Sequence, residues 1–239
     1  MTAKELFQAG KIDEAIEALG GELRSNPADA QRRTFLFELL CFAGNWARAE
    51  KQLDVLGTEN KDAAMGMLLY RSALHAEQTR QQMFETGPLP FSTTEPAQVT
   101  GTLNGQPFAS LVDGDPRLGA RLEVFAAGQY MWIPFAQIAS VRIAPPKRLR
   151  DLLWPTAIVR PTAAFKGGDL GEVLIPALAP LTFRHPEGSV RLGRVTEWQE
   201  IDGDREAPVG QKLLLVDDRE IALLEIRELE ITPVPGAAS

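Results

Sequence analysis

Gly87-Pro88-Leu89-Pro90-Phe91-Ser92-Thr93-Thr94-Glu95-Pro96 divides the chain into a half that reads as helix and a half that reads as strand. Its three prolines cannot continue a helix, and the hydrophobic period changes from helical before it to two after it. The stretch therefore reads as a linker, residues 87–96, between a helical domain over 1–86 and a β-rich domain over 97–239. The fold class expected is α+β.

Upstream, residues 3–83 are rich in Ala, Leu, Glu, Gln and Arg and poor in proline, which favours helix throughout. Ala9-Gly10-Lys11-Ile12 recurs as Ala43-Gly44-Asn45-Trp46, Ala15 as Ala49, Leu19 as Leu53 and Asn26 as Asn60, each pair 34 residues apart. That is the tetratricopeptide period, here in degenerate form. Glycine closes the first helix of each pair and a small alanine lets the next pack closely. Two helix pairs and a fifth, capping helix near 61–84 are expected. The register places Thr34, Glu38, Cys41 and Phe42, with Met65, Leu68, Ser72 and His75, along a groove able to receive an amphipathic partner helix, Phe42 and Leu68 being its anchors. Some of these positions would instead be covered by the second half of the chain.

Downstream, Val99, Gly101 and Leu103 alternate with polar neighbours before Asn104-Gly105, the residues of a tight hairpin turn. Strands are expected at 121–126, 130–135, 138–143, 156–160, 171–175, 188–192 and 211–216, with a closing strand from 220 to 231 after a tip at Asp217-Asp218, although 221–231 reads equally as helix. So many short strands between Gly and Pro turns read as a mainly antiparallel β domain, a curved sheet or partial barrel. Between the strands lies Pro145-Pro146-Lys147-Arg148-Leu149-Arg150-Asp151-Leu152-Leu153-Trp154-Pro155. Prolines bound it at both ends, and Leu149, Leu152 and Leu153 repeat at helical spacing, so it reads as an amphipathic plug ending in Trp154. Arg150 and Asp151 of the plug, with Arg191, Arg194, Glu197 and Trp198, form the best polar constellation in this half. Its expected role is structural, the two later arginines pairing with Asp151 or Glu197 to fix the plug to the sheet.

With the plug, Trp132-Ile133-Pro134-Phe135, Asp113-Gly114-Asp115-Pro116-Arg117-Leu118-Gly119, Leu122-Glu123-Val124, Gly171-Glu172-Val173 with Pro176, Arg191-Leu192-Gly193-Arg194-Val195-Thr196-Glu197-Trp198 and Leu224-Glu225-Ile226-Arg227 stand in one order. This ordered set resembles the ImpE/SciE-type family, also called TagJ, accessory proteins of bacterial type VI secretion systems, over about residues 110 to 230. The resemblance implies a non-enzymatic cytoplasmic adaptor. Its implied partners are the contractile sheath's small subunit, bound through a helix near that subunit's N-terminus, and the AAA+ ATPase that recycles the sheath.

A net charge of −7 argues against a nucleic-acid partner. No apolar run reaches the length of a membrane span, and the charged N-terminus does not read as a secretory leader. Cys41 is the lone cysteine and the histidines are His75 and His185, so no metal-ligand spacing is present and no cofactor is expected. Ser189 follows His185 closely, without the G-x-S-x-G elbow of a hydrolase. Asp113-Gly114-Asp115, Asp202-Gly203-Asp204 and Gly167-Gly168-Asp169-Leu170-Gly171 read as turns rather than as calcium or phosphate loops. Two other classes stand beside the adaptor: a general helix-repeat scaffold or chaperone, and an enzyme with its site in the β domain.

Overall fold

The computed structural model describes residues 1–57, 61–87, 89 and 98–233; most of the proline-rich segment 87–96 lies outside them. The helical half runs α1 (Ala3–Gln8), α2 (Ile12–Ser25), α3 (Ala30–Phe42), α4 (Trp46–Leu56) and α5 (Lys61–Thr86). Gly10 and Gly44, 34 residues apart, both take a left-handed φ, +78° and +67°. Around Gly10, Lys11 N–H donates to Leu6 C=O and Gly10 N–H to Phe7 C=O; around Gly44, Asn45 donates to Leu40 and Gly44 to Cys41. These are two copies of one Schellman closure, so the sequence echo is a repeat of backbone geometry. Ala15 and Ala49, also 34 apart, are fully buried where the helices cross.

The second half contains β1 (Val99–Leu103), β2 (Gln106–Phe108), β3 (Leu111–Asp113), β4 (Arg121–Ala126), β5 (Gln129–Pro134), β6 (Ile138–Ile143), β7 (Thr156–Pro161) and β8 (Glu172–Leu174). A helical turn α6 (Gly188–Arg191) follows, then β9 (Glu197–Asp202), β10 (Arg205–Val209), β11 (Leu213–Val216), β12 (Arg219–Ala222) and β13 (Glu228–Pro233). Among the described residues the pairing is antiparallel throughout. The strands form an open eight-stranded sheet in the order β2-β1-β13-β6-β7-β8-β4-β5, a three-stranded sheet β12-β11-β3 and the hairpin β9–β10. The expected α+β class holds, and the β half is an open sheet rather than a closed barrel. Asn104-Gly105 turns the β1–β2 hairpin with φ of +49° and +78°, as a type I′ turn requires.

Two strand expectations are corrected, and one hairpin is additional. The expected strand 188–192 is instead α6 with its cap Leu192, because Arg191 N–H reaches back to Glu187 C=O and Leu192 to Gly188 while Val190 and Leu192 bury their side chains. The stretch 220–231 is broken by a 3-10 turn at Leu223–Glu225, which lets β12 and β13 join different sheets. The hairpin β9–β10 was not expected, since its polar sequence lacks an apolar alternation.

Two cores result. One lies between the eight-stranded sheet and the three-stranded sheet, with Val124, Ile133, Val141, Leu214 and Leu229 among its members. The other joins the helices to Phe125, Leu153, Trp154, Leu174 and Leu192 of the second half. Strand β4 serves both by its period of two: Leu122, Val124 and Ala126 enter the first core, while Phe125 enters the second. Glu123, on the same face as Phe125, meets α5.

Candidate functional site

The plug is a 3-10 turn at Leu149–Leu152 followed by Leu153 and Trp154, as its proline-bounded leucine pattern predicts. Asp151 organises it, accepting from the N–H of Lys147 at 2.9 Å and of Arg148 at 3.0 Å, and pairing with Arg150 at 3.0 Å. Burial pushes the Asp151 carboxyl up, but these N–H groups and Arg150 outweigh it and hold it below its usual value. Arg150 also lies over the Tyr70 ring of α5 at 5.4 Å.

The plug rests on the face of α3 and α5 that the repeat register assigned to a partner. Cys41 and Phe42 are 2% and 1% exposed, and Glu38 is buried. Cys41 and Phe42 line a small cavity of about 20 Å³ with Leu153, Trp154 and Phe183, room for one water. Phe42 is therefore not an exposed anchor: the chain's own second half covers it. Thr34 is half-buried and donates to the Ala30 carbonyl, whereas Leu68 and His75 are exposed. The side chain of Met65 lies outside the described residues. The structure thus brings Glu38, Cys41 and Phe42 together under the plug and leaves Leu68 apart.

Burial pushes the Glu38 carboxyl up to about 7, against the backbone N–H and charge of Arg150. A carboxyl raised above its unfolded value binds more protons in the folded chain, so stability declines as pH rises from about 4.5 to about 7. Glu38→Gln keeps an acceptor for Arg150 and removes the charge. Urea unfolding should find the variant close to the parent at pH 4.5 and more stable, on the order of 2 kcal/mol, at pH 8.

Sequence reasoning missed the polar centre that joins the halves. Arg80 of α5 is fully buried and donates to both Glu123 oxygens at 2.7 and 3.0 Å, to Glu77 at 3.0 Å and to the Leu178 carbonyl at 2.9 Å. Lys212 bridges Glu123 at 2.5 Å and Asp113 at 2.7 Å. Trp154 Nε1 donates to Glu77 at 2.8 Å, tying the plug into the same centre, and Tyr130 donates to Glu123. Burial raises the Glu123 carboxyl, but Arg80 and Lys212 overcome this and hold it at about 2; burial leaves Asp113 at about 6 despite Lys212. These groups are buried and paired with one another, so their chemistry is that of a clamp between α5 and the sheet.

The Arg191 and Arg194 expectation is also corrected. Neither reaches Asp151 or Glu197. Arg191 holds Asp13 of α2 at 2.8 and 3.1 Å, and Arg194 donates to the carbonyls of Gln8 and Phe7 at the end of α1 while lying over the Phe7 ring. The cause is the seat of α6: a Cβ at Gly188 would fall 1.8 Å from the Gly10 carbonyl oxygen, so only glycine lets this turn press against the first repeat. Phe183 packs at the equivalent glycine of the second repeat, Gly44. Glu197 instead stands 3.4 Å from His185 Nε2, and Trp198 is half-buried on the β9–β10 hairpin. His185 Nδ1 accepts from Glu187 N–H, so both ring nitrogens are occupied. Asp113 accepts from Asp115 N–H and Asp115 from Arg117 N–H, the hydrogen bonds of a turn. Among the described residues no helix is long and apolar enough to cross a membrane.

Two open grooves have mainly apolar walls. One of about 640 Å³ lies between α1 and α3 and ends at Leu149 of the plug. The other, about 460 Å³, lies between Leu68 and Leu69 of α5 and Phe125 and Leu174 of the sheet.

Residues 105–230 match the family model of the ImpE protein, and residues 6–71 match a tetratricopeptide repeat model. The chain is 34% identical to the type VI secretion system accessory component TagJ of Pseudomonas aeruginosa, covering 98% of this chain and 92% of that one. The chain belongs to the ImpE family. That membership places it among type VI secretion accessory proteins, as the ordered motifs implied. Protein VPA1032 from Vibrio parahaemolyticus, known from its crystal structure, has the same fold: TM-score 0.84 and 21% identity over 98% of each chain. The family's matched region thus contains the plug, Glu123 and Lys212, while Arg80 and the repeats precede it.

Proposed function

We propose that this ImpE-family protein is a non-enzymatic cytoplasmic adaptor of type VI secretion whose repeat face receives the N-terminal helix of the contractile sheath's small subunit. A link to the ATPase that recycles the sheath belongs to the same reading. The observation that carries it is the plug itself. The repeat face already holds one helical turn, whose leucines stand at i, i+3 and i+4, which is the anchor spacing by which grooves take amphipathic helices. The likeness to TagJ supplies the system in which such a helix would be sought.

The test is capture of the purified sheath small subunit by the tagged full chain, with the intact subunit and with one lacking its N-terminal helix. The intact subunit should be retained and the truncated one lost. Equal retention of both, or of neither, would remove this reading.

A further inference from the structure

We infer that β5 pairs with the β5 of a second copy of this chain across a twofold axis, so that one sheet runs through a dimer. This goes beyond the adaptor reading and does not depend on what the repeat face binds. β5 ends the eight-stranded sheet, with β4 as its ladder neighbour. Ala127 and Gly128 join the two strands with φ of +49° and +78°, a two-residue type I′ turn. That turn fixes which backbone groups face β4. Ala126 with Gln129, Val124 with Met131 and Leu122 with Ile133 become the hydrogen-bonded pairs, so the N–H and C=O of Tyr130 and Trp132 point away from β4. Among the described residues these outward groups have no hydrogen-bond partner.

The other sheet edges carry features that block pairing, and β5 carries none of them. β2 and β3 have three residues each, β2 with Pro107 at its centre. β12 carries Arg219 and Glu220, β9 carries Glu197, Glu200 and Asp202, and β10 contains Pro208 and a register shift. β5, Gln129–Pro134, has six residues without a charge, and its register with β4 is unbroken. Side chains cover both of its faces, since Trp132 meets the Phe84 ring of α5 at 6.0 Å and Met131 packs on the core between the sheets. What it offers is main-chain hydrogen bonding along the edge, which calls for another strand.

The edge is complementary to itself. With the twofold at Met131, Tyr130 pairs with the partner's Trp132 and Trp132 with the partner's Tyr130, which satisfies every one of these outward groups. The same register lays tyrosine beside tryptophan on the helix side and methionine opposite methionine on the other, and no like charges meet. A six-residue pairing is small beside an obligate interface, so the dimer should be concentration-dependent.

Sedimentation velocity of the full chain from about 1 to about 300 µM tests this. The parent should shift from monomer toward dimer. Met131→Lys sets like charges opposite each other across the axis and should stay monomeric. Disulfide trapping gives a second reading should Met131→Lys not fold. Facing residues of a non-hydrogen-bonded pair have Cα atoms about 4.5 Å apart, within the span of a disulfide, and the native Cys41 is buried. Met131→Cys should therefore oxidise to a linked dimer at least about tenfold faster than Leu68→Cys, whose site on α5 is 57% exposed. A parent that stays monomeric at about 300 µM overturns the pairing. So does a dimer that folded Met131→Lys leaves intact, or one that Met131→Cys traps no faster than Leu68→Cys.

Discussion

Arg80→Met is expected to destabilise the protein by about 3–5 kcal/mol, although methionine nearly fills the same volume. The loss is electrostatic. Glu123 would keep Lys212 but lose two hydrogen bonds, Glu77 would lose its cation, and the Leu178 carbonyl would lose its donor. The pH dependence identifies the cause. In the parent, Glu123 is held at about 2, so its stabilising ionisation is present above the usual glutamate value and is lost only as pH falls through about 2. Without Arg80 its folded-state value rises, and protonation relieves the buried charge. The gap between variant and parent should therefore narrow from pH 7 to pH 5 in urea unfolding. A gap that stays constant would make the defect one of packing.

Trp154→Ala should cost a similar amount, about 3–5 kcal/mol, for two reasons that can be separated. The indole is 1% exposed and fills the space between the repeat face and the sheet, so truncation enlarges a cavity now of about 20 Å³. It also supplies the hydrogen bond to Glu77 Oε2. Trp154→Phe keeps most of the volume and loses the donor, and should cost about 1–3 kcal/mol. Thermal unfolding of the two variants apportions the effect. Equal losses would mean that the hydrogen bond, not the packing, holds the plug.

The first prediction concerns groups that the sequence did not reveal, and the reason is range. Arg80 and Glu123 are 43 residues apart, and Lys212 and Asp113 are 99 apart. No local pattern connects them. A signal did exist in Glu123, a charged residue inside Leu-Glu-Val-Phe-Ala, a run too apolar for a strand with one wet face, and in Lys212 just before Leu213-Leu214-Leu215-Val216. What was legible was local: the paired glycines of the repeat, the Asn104-Gly105 hairpin and the proline-bounded plug all rest on backbone geometry that neighbouring residues dictate. The groove assignment went astray at Phe42 because a repeat register predicts which face is concave, not what the rest of the chain lays upon it. The sequence pairs the arginines at 191 and 194 with Asp151 of the plug or with Glu197, whereas α6 carries them to α1 and α2.

On the proposed reading, the clamp and the plug together make the repeat face a composite surface. The repeats supply α1 and α3, and the β half supplies Leu149, held in place through Trp154 and Glu77. Amide hydrogen exchange of the full chain, with and without the small subunit's N-terminal peptide, tests this most directly. The account predicts slowed exchange in Ala3–Gln8, Ala30–Phe42 and the plug at Leu149–Leu152, with the strands unchanged. Slowing confined to the β strands, or to α5 around Leu68, would contradict it.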